Sequence, residues 1–313
     1  QEMDQVKITC ALTKYSERIN ETKNLIPNVL KAIKFAKDGV PGPTHLALAA
    51  DILNTELAEP FTDLKQDYKS ARDVEEPSAR LIKAFASAER PLIIVGPFFG
   101  MPHFAEKLKE LETQLNAPVV MMESPRGFND PRLGNIKSMI NLVDLVIVVG
   151  KPIDFTLSYG SVEAFNANAE WFAYIGSHEL VTKARNNLGD RLKEAEDIGP
   201  LTAIDMLQKL ASERTGGRKW VAALRRAIDH RDFSILENQT NHAELNSLTF
   251  ASTVNTILSS RDDVIAVSDG GEIGQWVQSL LTRYLIMING TSGAIGGSLS
   301  YAMAIKLAYP EKH

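Results

Sequence analysis

Two glycine-rich segments near the end of the chain carry the residues best suited to hold a charged, planar ligand. Segment 267–274 (Val-Ser-Asp-Gly-Gly-Glu-Ile-Gly) follows a predicted strand and precedes a predicted helix at 275–281, so its free amides lie at a positive helix terminus that suits an anion. Segment 289–297 (Asn-Gly-Thr-Ser-Gly-Ala-Ile-Gly-Gly) leads into a second predicted helix, 299–307, and its small residues let the backbone approach a ligand closely. Glycine at such turns is also common for steric reasons alone. The spacing of about 20 residues, on successive strand-helix units, favours a joint role.

Two loops in the middle of the chain are weaker candidates. Segment 96–102 (Gly-Pro-Phe-Phe-Gly-Met-Pro) follows a predicted strand, but a dinucleotide fingerprint needs close glycines whose amides meet a pyrophosphate. Pro97 has no amide hydrogen and two bulky phenylalanines follow it, so plain strand-to-helix packing is favoured over a nucleotide. Segment 151–155 (Lys-Pro-Ile-Asp-Phe) fits either a ligand at the carboxyl end of a sheet or a turn capped by Asp154.

Other common catalytic patterns are missing from the sequence. The chain contains neither a Gly-x-Ser-x-Gly elbow nor a phosphate-binding loop, which argues against a serine hydrolase and a phosphate-loop kinase. The histidines are scattered without metal-ligand spacing, so no metal cluster is predicted. They are His45, His103, His178, His230, His242 and His313.

The elements that position these segments follow an α/β pattern. Short β-branched runs alternate with amphipathic stretches, and strand starts recur about every 25 residues, as in a parallel sheet whose strands need crossover connections. Strands are predicted at 92–95, 118–122, 142–149 and 170–175. The predicted fold class is therefore α/β, with a doubly wound parallel-sheet central domain at 76–212.

Two polar stretches flank this central domain. Residues 59–75 are polar and acidic, and their apolar residues do not recur at a regular spacing. Residues 213–243 begin with a Gly-Gly pair among charged residues, followed by a predicted helix and a polar run. Both are predicted to be linkers. The flanking pieces then belong to other domains, with a helix at 26–37 and a strand at 44–48 before the first linker, and a helix near 249–259 and a strand at 263–267 after the second.

Composition limits the classes of protein that the chain can represent. Its 313 residues are 44% hydrophobic and 23% charged, with a formal net charge of −5, which excludes a collagen, a coiled coil, a disordered chain and a disulfide scaffold. The sequence has no stripe of basic residues of the kind that binds nucleic acid, so nucleic acid is not an expected partner. Its apolar runs are all shorter than the ~20 residues that span a bilayer, so a membrane is not expected either. Cys10, the single cysteine, fits a reducing compartment, and a cytoplasmic location is expected.

The chain lacks an initiator Met and ends just after a predicted helix, so we expect a fragment.

An ordered set of segments then points to a family. They read Gly-Val-Pro-Gly-Pro-Thr-His-Leu at 39–46, Ala-Glu-Arg-Pro-Leu-Ile-Ile-Val-Gly at 88–96, Val-Asp-Leu-Val-Ile-Val-Val-Gly at 143–150, and the two glycine-rich segments above. In this order the chain resembles the thiamine-diphosphate-dependent enzymes of the acetolactate synthase, benzaldehyde lyase and pyruvate oxidase group. The resemblance implies the C-terminal part of a pyrimidine-binding domain (1–58), a linker (59–75), a central Rossmann-like domain (76–212), a linker (213–243) and the N-terminal part of a diphosphate-binding domain (244–313).

The resemblance also implies a set of cofactor-binding residues. In the family, the backbone of the segment matching Gly270, Gly271 and Glu272 lies against the diphosphate. The carbonyl at the position of Gly293, followed by Ala294, accepts a hydrogen bond from the aminopyrimidine. A bulky apolar residue at the position of Ile295 supports the bent cofactor, which brings the amino group next to the thiazolium carbon that must lose its proton.

Departures from the family pattern are equally specific. The catalytic Glu of the family lies upstream of Gln1, and its Gly-Asp-Gly metal motif would begin beyond His313. No catalytic residue and no metal ligand is therefore assigned within the chain, and the chain alone is expected to be inactive. Ala50 stands where acetolactate synthases carry Lys, which weakens assignment to that particular enzyme.

The resemblance thus implies thiamine diphosphate and Mg²⁺ chemistry on a carbon-carbon bond of a 2-oxo acid or an aldehyde, in a homodimer or homotetramer. Decarboxylase, carboligase and lyase stay open. The alternative is a central domain that holds FAD or ADP, or serves only as structure, although the bulky loop at 96–102 disfavours FAD. A plain Rossmann dehydrogenase is excluded by the missing fingerprint.

Overall fold

The structure is a computed structural model that describes residues 3–56, 76–214, 216–230, 246–281, 285–287 and 294–313. Its helices are α1 Gln5–Thr9, α2 Leu25–Lys37, α3 Ala50–Leu53, α4 Ala79–Ser87, α5 Ala105–Leu115, α6 Lys137–Ile140, α7 His178–Leu188, α8 Pro200–Gln208, α9 Arg218–Asp229, α10 Ser247–Leu258, α11 Gly271–Leu280 and α12 Ser298–Ala308. Its strands are β1 Ser16–Ile19, β2 His45–Leu48, β3 Pro91–Val95, β4 Val119–Met121, β5 Leu145–Val149, β6 Glu170–Tyr174, β7 Leu192–Glu196, β8 Ile265–Val267 and β9 Leu285–Met287.

The middle of the chain forms a five-stranded sheet in the order β4-β3-β5-β6-β7, and every neighbouring pair is parallel. Strands β3 and β5 are buried along their whole length, which explains why their sequences are continuous apolar runs without alternation. The predicted α/β class with parallel sheets is confirmed.

The central sheet faces a hydrophobic core on each of its two sides. In β3, Leu92 and Ile94 belong to one core, while Ile93 and Val95 belong to the other. Side chains of a strand alternate between its faces, so two separate apolar layers of helices must cover the sheet. Helices α4, α5 and α8 contribute to one core, and α7 and α9 contribute to the other. The doubly wound arrangement is the result.

Two small parallel sheets flank the central one in the described part of the chain. Strands β1 and β2 pair before it, and β8 and β9 pair after it. The chain therefore builds three sheets in sequence order, while the domain boundaries given above remain a prediction. Within the described ranges, no helix has both the length and the apolar character needed to cross a membrane.

Helix α9 lies in the range predicted as the second linker, yet it packs on the central sheet. Its side chains Trp220, Leu224 and Ile228 are buried in the core on one face of that sheet. The indole Nε1 of Trp220 donates to the carbonyl oxygen of Pro91 at 2.8 Å, which ties the helix to the first residue of β3. The helix is thus part of the central packing unit.

Replacing Trp220 with phenylalanine should lower the free energy of unfolding by about 2 kcal/mol, because the indole donor is lost and a smaller ring fills the site. Urea denaturation followed by circular dichroism measures this change. The exposed neighbour Lys219, changed to alanine, is the control and should stay within about 0.5 kcal/mol of the parent. Equal stability of the two variants would contradict the packing role of α9.

Candidate functional site

Two strand-to-helix bends meet at one edge of the last sheet. Strand β8 precedes the first bend and β9 precedes the second, and the two strands pair in parallel. The carboxyl ends of parallel neighbours lie at the same edge of a sheet, so the connections that follow them are brought together. This is the edge at which ligands bind in folds of this class.

The first bend leads into helix α11 earlier than the sequence predicts. The helix was expected to begin at residue 275, but it begins at Gly271 with Gly270 as its N-cap. The early start is possible because glycine adopts the positive φ of +79° that Gly271 requires. The first amides of a helix have no acceptor within the helix, so Gly271, Glu272 and Ile273 offer their N–H groups at its positive end.

The second bend precedes helix α12. Gly296 has a φ of +93°, and Ala294 and Ile295 lie just before it. Ile295 is 75% exposed, which leaves its apolar side chain available for contact. Gly293 lies outside the described residues, and so does the side chain of Glu272.

Asp269 joins the two bends. The N–H of Gly270 donates to its Oδ1 at 2.7 Å, and the N–H of Gly296 donates to Oδ1 and Oδ2 at 3.0 and 2.8 Å. The hydroxyl of Ser298 donates to Oδ2 at 3.2 Å. One carboxylate therefore bonds the start of α11 to the start of α12.

These hydrogen bonds lower the pKa of Asp269 below its ordinary value. The N–H of Gly270 is the largest cause, that of Gly296 the next, and the Ser298 hydroxyl adds a smaller contribution against partial desolvation. A carboxyl group with a lowered pKa is charged at neutral pH. The interactions of Asp269 are therefore present above its ordinary pKa and are lost only when the pH falls through the lowered value.

Arg126 reaches the first bend from the central sheet. Its Nη2 donates to the carbonyl oxygen of Gly271 at 3.1 Å. The turn Pro131–Leu133, which follows in the same connection after β4, packs against helix α11. The guanidinium of Arg126 thus lies at the N-terminus of α11, where the free amides are, and adds positive charge there.

The space beside the bends suits a ligand. Among the residues that the structure describes, a Cβ added at Gly271 or at Gly296 would meet no heavy atom within 4 Å. Amide donors, a helix terminus and Arg126 favour an anion, and the exposed Ile295 offers an apolar surface next to it. The arrangement fits a cofactor with a diphosphate group and aromatic rings.

The two bends had been identified from the sequence, but Asp269 and Arg126 had not been selected as site residues. For Asp269 a local signal existed, since an aspartate before two glycines at the end of a strand is a typical helix-capping residue. No local signal could identify Arg126, because its partner Gly271 lies 145 positions away.

The loop at 96–102 is filled by packing. A Cβ at Gly96 would lie 1.9 Å from the carbonyl oxygen of Gly150, so the connections after β3 and β5 touch directly. The chain passes from β3 to β4 on one side and then returns to β5 on the other side of β3. In sheets of this kind, ligands bind in the crevice where the strand order reverses in this way. Phe99 and Phe104 are buried against each other beside it. This geometry favours the packing interpretation of the loop over a nucleotide.

Lys151 lies buried after β5. Its Nζ donates to the hydroxyl of Thr156 at 2.6 Å and lies 3.7 Å from Oδ1 of Asp154. Burial lowers the pKa of Lys151, and the charge of Asp154 opposes that shift. Asp154 also accepts a hydrogen bond from the N–H of Thr156 at 2.9 Å. Of the two interpretations of segment 151–155, this contact agrees with the turn capped by Asp154.

The described residues hold no group of three or more His, Cys, Asp or Glu side chains placed to bind a metal ion.

The fold and the joined bends define a class of protein: parallel α/β units in which two strand-to-helix turns lie together at the sheet edge where such folds bind ligands.

No protein-family model matches the chain. Curated relatives match it along its whole length. The 2-hydroxyacyl-CoA lyase 2 of Caenorhabditis elegans is 23% identical over 370 residues, which cover 100% of this chain and 56% of the relative. The acetolactate synthase large subunit IlvG of Mycobacterium tuberculosis is 26% identical over 327 residues, covering 100% and 57%.

A third relative, the 2-hydroxyacyl-CoA lyase of Arabidopsis thaliana, is 21% identical over 335 residues and is covered to 58%. The resemblance to the thiamine-diphosphate-dependent lyases and synthases is therefore confirmed, and the chain is a homologue of these enzymes. The chain spans a little over half the length of the relatives it matches. Such relatives support thiamine-dependent cleavage or formation of carbon-carbon bonds.

Proposed function

We propose that the native protein carrying this chain uses thiamine diphosphate, with Mg²⁺, to break or form the carbon-carbon bond next to the carbonyl of a 2-oxo acid. The observation that carries the proposal is the junction of the two glycine bends through Asp269, where a Cβ at Gly271 or Gly296 would meet no described heavy atom within 4 Å. Kinship with lyases and synthases supports the same chemistry.

The residues of the chain have separate tasks in this proposal. The N–H groups of Gly271, Glu272 and Ile273 bind diphosphate oxygens at the positive end of α11, and Arg126 adds a cation to that end. Ile295 offers an exposed apolar surface against which the rings can rest. When bound, the cofactor supplies the nucleophilic carbon and the electron sink of the reaction. The chain's own part is to bind and orient it.

The substrate is the finer part of the proposal. Acetolactate synthases among the relatives favour a 2-oxo acid, whereas the relatives named 2-hydroxyacyl-CoA lyases favour a 2-hydroxyacyl thioester that releases an aldehyde. Ala50, at the place where acetolactate synthases carry Lys, weakens the assignment to that particular enzyme and leaves the second substrate open. In both substrates the carbon-carbon bond that would break is next to a carbonyl, so the same cofactor would serve either one.

Catalysis is proposed to need more than these 313 residues. By the resemblance, the Glu that activates the pyrimidine and the Gly-Asp-Gly metal motif lie outside this sequence, which contains no Gly-Asp-Gly. The chain by itself is therefore expected to show no turnover. The active protein is proposed to be a homodimer or homotetramer, since active sites of the family lie between subunits.

Calorimetric titration of the native protein with thiamine diphosphate and Mg²⁺ tests the proposal. We expect saturable binding well below about 1 mM, followed by carbon dioxide release from pyruvate or aldehyde release from a 2-hydroxyacyl-CoA. Which of the two products forms decides the substrate class. Absence of binding at millimolar cofactor would refute the proposal.

The alternative function, a central domain that binds FAD or ADP, has a separate test. The direct contact of Gly96 with Gly150 argues against a nucleotide at the first loop. Flavin absorption bands in the purified native protein would nevertheless establish that the protein binds FAD.

A further inference from the structure

We propose that Asp269 is a positioning residue that holds the two glycine bends in register before the cofactor arrives. This inference rests on the proposed function for its meaning, although the junction itself can be tested without cofactor. The sequence marks Asp269 only as a residue type common at helix starts, and its bonds to the second bend give it a further task.

The hydrogen bonds of Asp269 extend beyond those of a helix cap. A capping side chain accepts from an N–H inside the first helical turn, whereas Asp269 accepts from the N–H of Gly270, which is itself the N-cap of α11. Its other partners, Gly296 and Ser298, lie 27 and 29 positions away in sequence. The N–H of Gly296 donates to both oxygens of Asp269, so one backbone donor of the second bend is shared between the two oxygens of the carboxylate.

The junction fixes the residues that would contact the cofactor. Ile295 directly precedes Gly296, whose N–H is bound, and Gly271 directly follows Gly270, whose N–H is also bound. Asp269 therefore sets the separation between the free amides of α11 and the exposed side chain of Ile295. A site whose parts are held in place before binding loses less conformational entropy when the ligand binds.

A different role for the same carboxylate would be that of a placeholder. A negative charge at a helix terminus competes with an incoming anion for that position. The placeholder role predicts that removing the carboxylate strengthens cofactor binding, whereas the positioning role predicts that it weakens binding. The direction of the change in affinity therefore separates the two roles.

The test compares the variants D269A, D269N and S298A with the unsubstituted native protein. Hydrogen exchange measured by mass spectrometry without cofactor should be at least about tenfold faster at residues 294–298 in D269A, and unchanged at Ser247–Leu258. The dissociation constant for thiamine diphosphate should rise about 30-fold in D269A and about fivefold in D269N, because asparagine keeps one oxygen that can accept from Gly296. S298A, which loses only one bond, should change it by less than about threefold.

A KM and kcat comparison completes the test. For D269N the KM for cofactor should rise while kcat at saturating cofactor stays within about twofold of the parent, since bound cofactor holds the bends itself. Unchanged exchange at 294–298 in D269A would overturn the inference, as would tighter cofactor binding. If the unsubstituted protein fails to bind the cofactor, the proposed function fails, while faster exchange in D269A would still establish the junction.

Discussion

Replacing Gly96 with alanine is expected to prevent the central sheet from forming. The added Cβ would lie 1.9 Å from the carbonyl oxygen of Gly150 and 2.6 Å from its carbonyl carbon, and these are backbone atoms that cannot move aside like a side chain. Gly96 follows β3 and Gly150 follows β5, which are paired at the centre of the sheet. Relief of the clash requires these two strands to separate, so a loss of more than about 4 kcal/mol is expected.

The matched control for this substitution is Gly216→Ala, because a Cβ at Gly216 would meet nothing within 4 Å. That variant should be as stable as the parent, or more stable by a few tenths of a kcal/mol, since alanine restricts the unfolded chain. Thermal unfolding and soluble yield measure both variants. A Gly96→Ala protein with the parent's melting temperature would show that the two connections do not touch as described.

The central fold was predictable because its signal is local. Strands buried on both faces must be apolar at every position, and β3 and β5 have this composition. Their regular spacing then requires crossover helices and a parallel sheet. The packing of α9 was less predictable, because the polar residues around Trp220 resemble those of a linker and its partner Pro91 lies 129 positions away.

The candidate site was predictable only in part. Glycine positions marked both bends, but the helix start at Gly271 was placed too late because glycine is a poor helix former and its role at a first turn depends on backbone geometry. The bond between Asp269 and Gly296 depends on the pairing of β8 with β9, which single-sequence patterns do not determine. Local chemistry thus marked the pieces, and tertiary pairing joined them.

The largest functional effect is expected for Ile295→Ala. Ile295 is 75% exposed, so its side chain contributes little to the stability of the chain, and the variant should melt within about 1 °C of the parent. If Ile295 supports the cofactor rings as proposed, its removal lets the reacting groups move apart. Misplacement of about 1 Å can cost roughly 100-fold in rate, so kcat of the native protein should fall by about that factor.

Leu299→Ala is the control that distinguishes a specific support from a general apolar patch. Leu299 is 71% exposed and lies four residues after Ile295, near the start of α12, so it matches Ile295 in exposure and in apolar character. Its replacement should leave kcat within about threefold of the parent, because it lies beyond the bend that Asp269 holds through Gly296. Steady-state rates at saturating cofactor measure both variants. Equal losses in the two would assign the effect to the exposed apolar surface formed by both side chains, and equal retention would remove Ile295 from the site.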